Sequence, residues 1–167
     1  MLIKKAISQL LQVRFFLDQI NPEEYNCKMS ILRGSSIGGH VRHILEFYQC
    51  LLMDSSSNEV NYDQRKRNML LEENLKFSTD FLVEIIDKLE KVEANRRILL
   101  VAEYDNEITK METSLYREIA YNIEHTIHHL AILAMAVKIE FVHIKLPEEL
   151  GYADSTLKFI RKQMVNV

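Results

Sequence analysis

Tryptophan is absent from the 167-residue sequence, and glycine and proline are scarce, at four and two residues. β-Sandwiches and β-barrels need many turns, and turns are rich in glycine and proline. The composition therefore favours a helical globular protein over these all-β architectures. A chain of this length is expected to fold as one domain, covering residues 1–167, around a sizeable hydrophobic core.

Only two cysteines occur, Cys27 and Cys50, and they form no Cys-x-x-Cys pair, so neither a disulfide framework nor a thiolate zinc site is indicated. No apolar run is long enough to cross a bilayer. The N-terminal segment predicts an amphipathic helix rather than a signal peptide, because polar residues interrupt its apolar portion. We therefore expect a cytoplasmic protein with no membrane association.

An excess of positive charge is missing as well, since the formal net charge is −3. Nucleic-acid-binding proteins normally carry a basic face, so no nucleic-acid partner is predicted. The basic runs at residues 65–67 and 96–97 are short. Arg65 and Arg67 could bind an anionic end of a substrate, but such runs are more typical of a solvated surface.

Apolar residues at helical spacing are what the sequence does contain, and they predict four long helices. These helices are expected up to residue 20, from 35 or 36 to about 54, over 74–92 and over 114–142. A short helical turn is expected around 64–73, and a final short helix from 155 or 156 to about 164. Residues 98–104 and 108–113 have strand character and flank Asp105 and Asn106, which indicates a small β-hairpin between the third and fourth helices.

Four long amphipathic helices in a chain of this length predict an all-α fold, a four-helix bundle. About twenty residues connect the second and third helices, whereas antiparallel neighbours usually need only about 2–8. A crossover connection that leaves these two helices parallel is therefore expected.

Five of the six histidines fall in two short windows, both on predicted core helices. His125 and His129 are four residues apart and project from one helix face, where two imidazoles can bind one metal ion. His40 and His43 share one face of the second helix. A third ligand from a neighbouring helix would complete a three-histidine site with open coordination positions, as in catalytic metal sites.

A packed core is the competing interpretation, because a single buried histidine is usually neutral and satisfied by one hydrogen bond. Two clusters on two core helices favour the metal site, since several buried imidazoles without a metal or partners would be costly. Cores built from facing helices are also a common place for metal sites.

The segments SIGGHVRHILEF (residues 36–47) and EHTIHHLAIL (residues 124–133) resemble the DinB-like superfamily of metal-dependent enzymes. The resemblance covers most of the chain and implies one DinB-like four-helix bundle domain with up-down-down-up topology. It also implies a divalent metal held by His43, His125 and His129. The family often has a further histidine at the place that His40 holds here.

Four residues are candidates for the surroundings of the metal: His40, His128, Glu46 and Glu124. His128 is offset around the helix from both ligands of its window, so it could line the pocket, donate to a ligand or simply pack. The two glutamates could accept the second N–H of a ligand imidazole. An exposed helix carboxylate is the alternative for each of them.

A divalent zinc, nickel or iron ion suits an imidazole-only ligand set and could activate a water or a thiol. The leading hypothesis is therefore a metal-dependent hydrolase or low-molecular-weight thiol transferase acting on a small molecule, with no catalytic residue assigned. Thiol cosubstrates are implied by the resemblance alone. The alternative is a non-catalytic, metal-stabilised helical bundle that acts in dimerisation or partner binding. A homodimer through the outer helix faces is compatible with the sequence, which identifies no particular surface.

Overall fold

The computed structural model of the protein describes residues 1–52 and 58–165. Four long helices dominate this part of the chain: α1 (Leu2–Leu17), α3 (Ile37–Leu52), α5 (Leu75–Glu90) and α6 (Leu115–Glu140). The other helical elements are α2 (Pro22–Asn26), a 3-10 turn (Ser30–Leu32), α4 (Met69–Glu73) and α7 (Asp154–Val165). One sheet is formed by β1 (Glu59–Val60), β2 (Arg97–Tyr104) and β3 (Glu107–Ser114).

Helices α1 and α3 each pack against both α5 and α6, so the four long helices enclose an apolar core. Each of them contributes fully buried side chains to that core, for example Leu10, Ile44, Leu82 and Leu133. No helix within residues 1–52 and 58–165 is both long and apolar enough to cross a membrane.

The predicted all-α, four-helix-bundle fold class is wrong, because the chain also builds a three-stranded mixed sheet. The hairpin expected at residues 98–104 and 108–113 is confirmed as β2 and β3. Its two-residue turn, Asp105 and Asn106, has φ angles of 50° and 65°, as the mirror-image turns of tight hairpins require. β1 pairs in parallel with β2; it lies in a polar stretch and is too short to show a period-2 pattern.

The other predicted boundaries differ by a few residues. α1 ends at Leu17 rather than near residue 20, and the helical turn expected over 64–73 is limited to α4. Side chains of Asn74 and Ser114 cap α5 and α6, respectively, and set the start of each helix. The predicted end of the second helix at residue 54 lies outside the described residues.

The packing of α3 against α6 positions the two histidine windows. The helices run antiparallel, because His40 near the start of α3 contacts His129, whereas Phe47 two turns later contacts the earlier residue Tyr121 of α6. The two windows are therefore held face to face by the long helices and not by a loop.

Glycine at position 38 lets α4 approach the first turn of α3 closely. A Cβ at Gly38 would lie 2.0 Å from the carbonyl oxygen of Glu72. The segment between β1 and α4 thereby returns to α3, and it brings Tyr62 and Arg65 beside the Phe47 and His43 side chains.

Candidate metal centre

His43, His125 and His129 lie together between α3 and α6. One ligand-capable atom of each residue lies within 4.8 Å of those of the other two. Their ring centroids are 4.6–4.9 Å apart, and all three side chains are partly buried. The structure thus brings together the three residues that the DinB-like resemblance names as ligands.

Two of the three histidines have a ring nitrogen available for an ion. Nδ1 of His129 lies 2.9 Å from Nδ1 of His40, so one of these neutral rings donates and the other accepts. When His129 donates, its Nε2 lone pair stays free. Nε2 of His125 is buried and has no hydrogen-bond partner among the described residues, which is unusual for a buried polar atom.

The third histidine, His43, is held by Arg65. Nη2 of Arg65 lies 3.1 Å from Nδ1 of His43, while its Nε donates to Glu46 and its Nη1 to the carbonyl oxygen of Tyr62. A guanidinium only donates, so Nδ1 of His43 accepts and the neutral ring carries its proton on Nε2. Binding an ion through that Nε2 would require the proton to move to Nδ1 and Arg65 to turn away.

All three imidazoles are in the neutral form that a metal ligand needs. Burial is the largest cause, and it lowers the pKa of His43 to about 3, of His125 to about 4 and of His129 to about 2. Neighbouring charges act in the same direction. Arg65 further lowers the pKa of His43, His128 that of His125, and the His125 ring that of His129. The donor set therefore fits a divalent ion, with one rearrangement at His43.

The four predicted surrounding residues have different positions. His40 is in direct contact with His129, one of the three predicted ligands, through a hydrogen bond between the two Nδ1 atoms. Glu46, only 1% exposed, accepts from Arg65 and from the backbone N–H of Asn68, so Arg65 lies between its carboxylate and His43.

The other two predicted surrounding residues are on the outer side of α6. The His128 ring centroid is 6.4 Å from that of His125 and 5.3 Å from that of His129, and its side chain is exposed. Glu124 is also exposed, and its carboxylate has no hydrogen bond or ion pair with any described residue. Neither side chain lies in the interface between α3 and α6.

Aromatic rings that were not among the predicted site residues line the cluster. Phe47 stacks on His125 with a centroid distance of 4.3 Å and on Tyr62 at 4.7 Å, and Tyr121 stacks on His125 at 5.8 Å. Helical spacing offered a signal for two of them, because Phe47 is four residues after His43 and Tyr121 is four before His125. Tyr62 lies outside the helices, and no local spacing links it to the site.

No protein-family model matches the chain, and no curated protein or solved structure has significant similarity to it. The DinB-like resemblance thus stays a prediction, based on the two histidine segments.

Proposed function

We propose that this chain is a cytoplasmic, DinB-like metal-dependent enzyme whose divalent ion is held by His43, His125 and His129. The observation that supports it best is the convergence of three neutral imidazoles from two helices, with Nε2 of His125 buried and without a hydrogen-bond partner in the described part of the chain. Imidazole ligands suit zinc, nickel or iron, and three protein ligands leave a coordination position open.

A divalent ion bound there supplies Lewis-acid chemistry, lowering the pKa of a water or a thiol so that a nucleophile forms near neutral pH. The chain's own residues prepare the site for a small-molecule substrate. His40 orients the His129 ring through Nδ1, and Phe47 and Tyr121 keep water from one side of His125. Hydrolysis and transfer of a low-molecular-weight thiol are the two reactions that this chemistry supports.

Metal analysis of the purified protein tests the ligand set. The wild type should contain about one divalent ion per chain, and His43→Ala, His125→Ala and His129→Ala should each lose most of it. The matched control is His143→Ala, because that ring is 59% exposed and pairs with Glu24, outside the three-histidine cluster. Unchanged metal content in His125→Ala would overturn the proposal.

Chelation separates a catalytic site from a purely structural one. A catalytic site can release its ion with little loss of thermal stability, whereas a structural site loses much of it. We expect the chelated protein to stay folded and to lose turnover of ester or thiol-plus-electrophile substrates, with activity restored by added metal. Unfolding on chelation, together with no turnover when loaded, would instead favour a metal-stabilised module for dimerisation or partner binding.

A further inference from the structure

A cavity of about 240 Å³ lies between β2 and the N-terminal turns of α6. Phe47, Tyr62 and Tyr121 form one wall, with ring centroids 4.7–6.3 Å apart. Leu100 and Ala102 line the opposite wall from alternate positions of β2, which face the same side of the sheet. The hairpin therefore closes a space that the helices alone would leave open.

This cavity shares its aromatic wall with the candidate metal centre. Phe47 and Tyr121 line the cavity, and both rings also stack on His125. A group bound in the cavity would thus be separated from the histidines by a single layer of rings.

Polar groups at the base of the cavity are already paired. The carboxylate of Glu118 is fully buried and accepts from the Tyr62 hydroxyl, the Thr113 hydroxyl and the Arg117 guanidinium. The Arg117 guanidinium also lies 5.5 Å from the centroid of the Tyr121 ring. Asp63 also lines the cavity, and its carboxylate accepts from the backbone N–H of Glu103. Ring faces and aliphatic side chains form the rest of the lining.

A larger cavity of about 640 Å³ lies elsewhere beside the hairpin, and no histidine lines it. Its lining carries Arg97, Arg117 and Glu112 but none of the three aromatic rings that form the wall of the smaller cavity.

We propose that the 240 Å³ cavity binds an uncharged aromatic ring of the substrate, so that the three-histidine centre acts on aromatic small molecules. This inference rests on the proposed function, because it assigns a substrate class to that centre. A cavity of roughly 150 Å³ is enough to bind benzene, so the space suits one aromatic ring. Aromatic rings prefer stacked or edge-to-face contacts, which the three-ring wall supplies.

Binding of 4-fluorobenzyl alcohol, followed by fluorine NMR, tests the cavity itself. The wild type should bind it at least about threefold more tightly than cyclohexylmethanol, measured by competition. Ala102→Phe should abolish binding by filling the cavity. Glu103→Phe is the matched control, because the neighbouring side chain points to the opposite face of β2. Equal affinity for the two alcohols, or equal loss in both variants, would overturn the inference.

Tyr121→Leu provides a second variant, which tests the cavity even if Ala102→Phe does not fold. Tyr121 is 39% exposed, so its replacement should disturb the fold little. It should weaken 4-fluorobenzyl alcohol binding at least about threefold and leave the melting temperature nearly unchanged. Wild-type affinity in this variant would contradict the role of the aromatic wall.

Thiol binding to the cobalt(II)-loaded protein tests the link to the metal centre. The probe is 4-phenylbutane-1-thiol, whose longer arm can pass the layer of rings. The concentration of this thiol that half-saturates the change in the visible spectrum should rise at least about threefold in Ala102→Phe, and that of butane-1-thiol should not. A common shift for both thiols, or none, would overturn the inference. If the protein takes up no metal while the fluorinated alcohol still binds, the proposed function fails and the aromatic site stands.

Discussion

Two polar clusters lie on the same helix, α6, and they differ in the pairing of their central groups, the Glu118 carboxylate in one and the three imidazoles in the other. Around Glu118, both carboxylate oxygens accept hydrogen bonds and Asn122 donates to the Tyr62 hydroxyl, although Oδ1 of Asn122 has no partner among the described residues. Two turns later, the histidine cluster leaves Nε2 of His125 without a partner among the described residues. A buried carboxylate whose two oxygens both accept hydrogen bonds stabilises a fold, whereas an unpaired ring nitrogen at the centre of a cluster is costly unless a ligand completes it.

Loss of one histidine should have the largest effect, and that effect should be on metal binding. In His125→Leu, we expect the dissociation constant for zinc, measured by calorimetry, to rise at least about a hundredfold, because one of three ligands is removed. The free energy of unfolding of the chelated protein should change by less than about 1 kcal/mol, since an unpaired polar atom is replaced by an apolar side chain. A large loss of stability with unchanged zinc affinity would mean that the histidine cluster stabilises the fold and does not bind the metal.

The opposite pattern is expected at Glu118. In Glu118→Ala, the free energy of unfolding should fall by about 2–4 kcal/mol in urea titrations, because the buried Tyr62 hydroxyl and the Thr113 hydroxyl lose their acceptor. Glu118→Gln, which keeps the volume and an acceptor, should lose less. Zinc affinity should stay within about threefold of the wild type. A loss below about 1 kcal/mol would mean that this cluster is not the structural one.

Lowering the pH should reduce the free energy of unfolding of the chelated protein, because of the histidine cluster. The pKa values of His43, His125 and His129 lie at about 3, 4 and 2 in the folded protein, below the ordinary 6.5. The unfolded chain therefore binds more protons between pH 7 and pH 5, and stability falls as the pH falls. Each histidine contributes at most about 1.4 kcal/mol per pH unit.

Urea unfolding at pH 7 and pH 5 measures this difference, and His125→Leu serves as its control. The variant should lose less stability over this interval than the wild type, because one titrating group is gone. An equal pH dependence in the two proteins would mean that His125 titrates normally in the folded state.

Local sequence patterns could predict much of the fold and part of the site. Helical spacing indicated the long helices and the convergent pair His125 and His129, and the Asp105–Asn106 turn indicated the hairpin. Spacing alone could not separate His40 from His43, because both lie on one helix face. Their different positions follow from the offset between α3 and α6, which depends on the packing of the whole core.

Contacts made by the segment before α4 could not be predicted in this way. Arg65 is in a basic run of the kind that is usually solvated, yet its side chain is only 14% exposed and contacts both Glu46 and His43. The sequence leaves two interpretations of Glu46, a carboxylate that orients a ligand imidazole or an exposed helix carboxylate, whereas the side chain is buried and accepts from Arg65. The intervening guanidinium is there because β1 pairs with β2 and α4 packs on α3, and both contacts join distant parts of the chain.

Replacement of Arg65 should change zinc binding less than loss of a ligand does, and in the opposite direction. Its guanidinium donates to Nδ1 of His43, and its positive charge would repel a cation bound by that ring. In Arg65→Gln, the amide oxygen can accept from an Nδ1–H of His43, as the partners of metal-bound histidines commonly do. We expect zinc to bind about tenfold more tightly, which corresponds to about 1.4 kcal/mol.

The chelated Arg65→Gln protein should at the same time be less stable than the wild type, because the buried Glu46 carboxylate loses a charged donor while keeping the Asn68 N–H. Arg67→Gln, an exposed neighbour, should change neither quantity. Calorimetry with zinc and urea unfolding separate the two effects in one set of proteins. Weaker zinc binding in Arg65→Gln would show that the guanidinium holds His43 in the position needed for a ligand. The histidine cluster would then resemble the Glu118 cluster, whose side chains are held in place by hydrogen bonds within the protein.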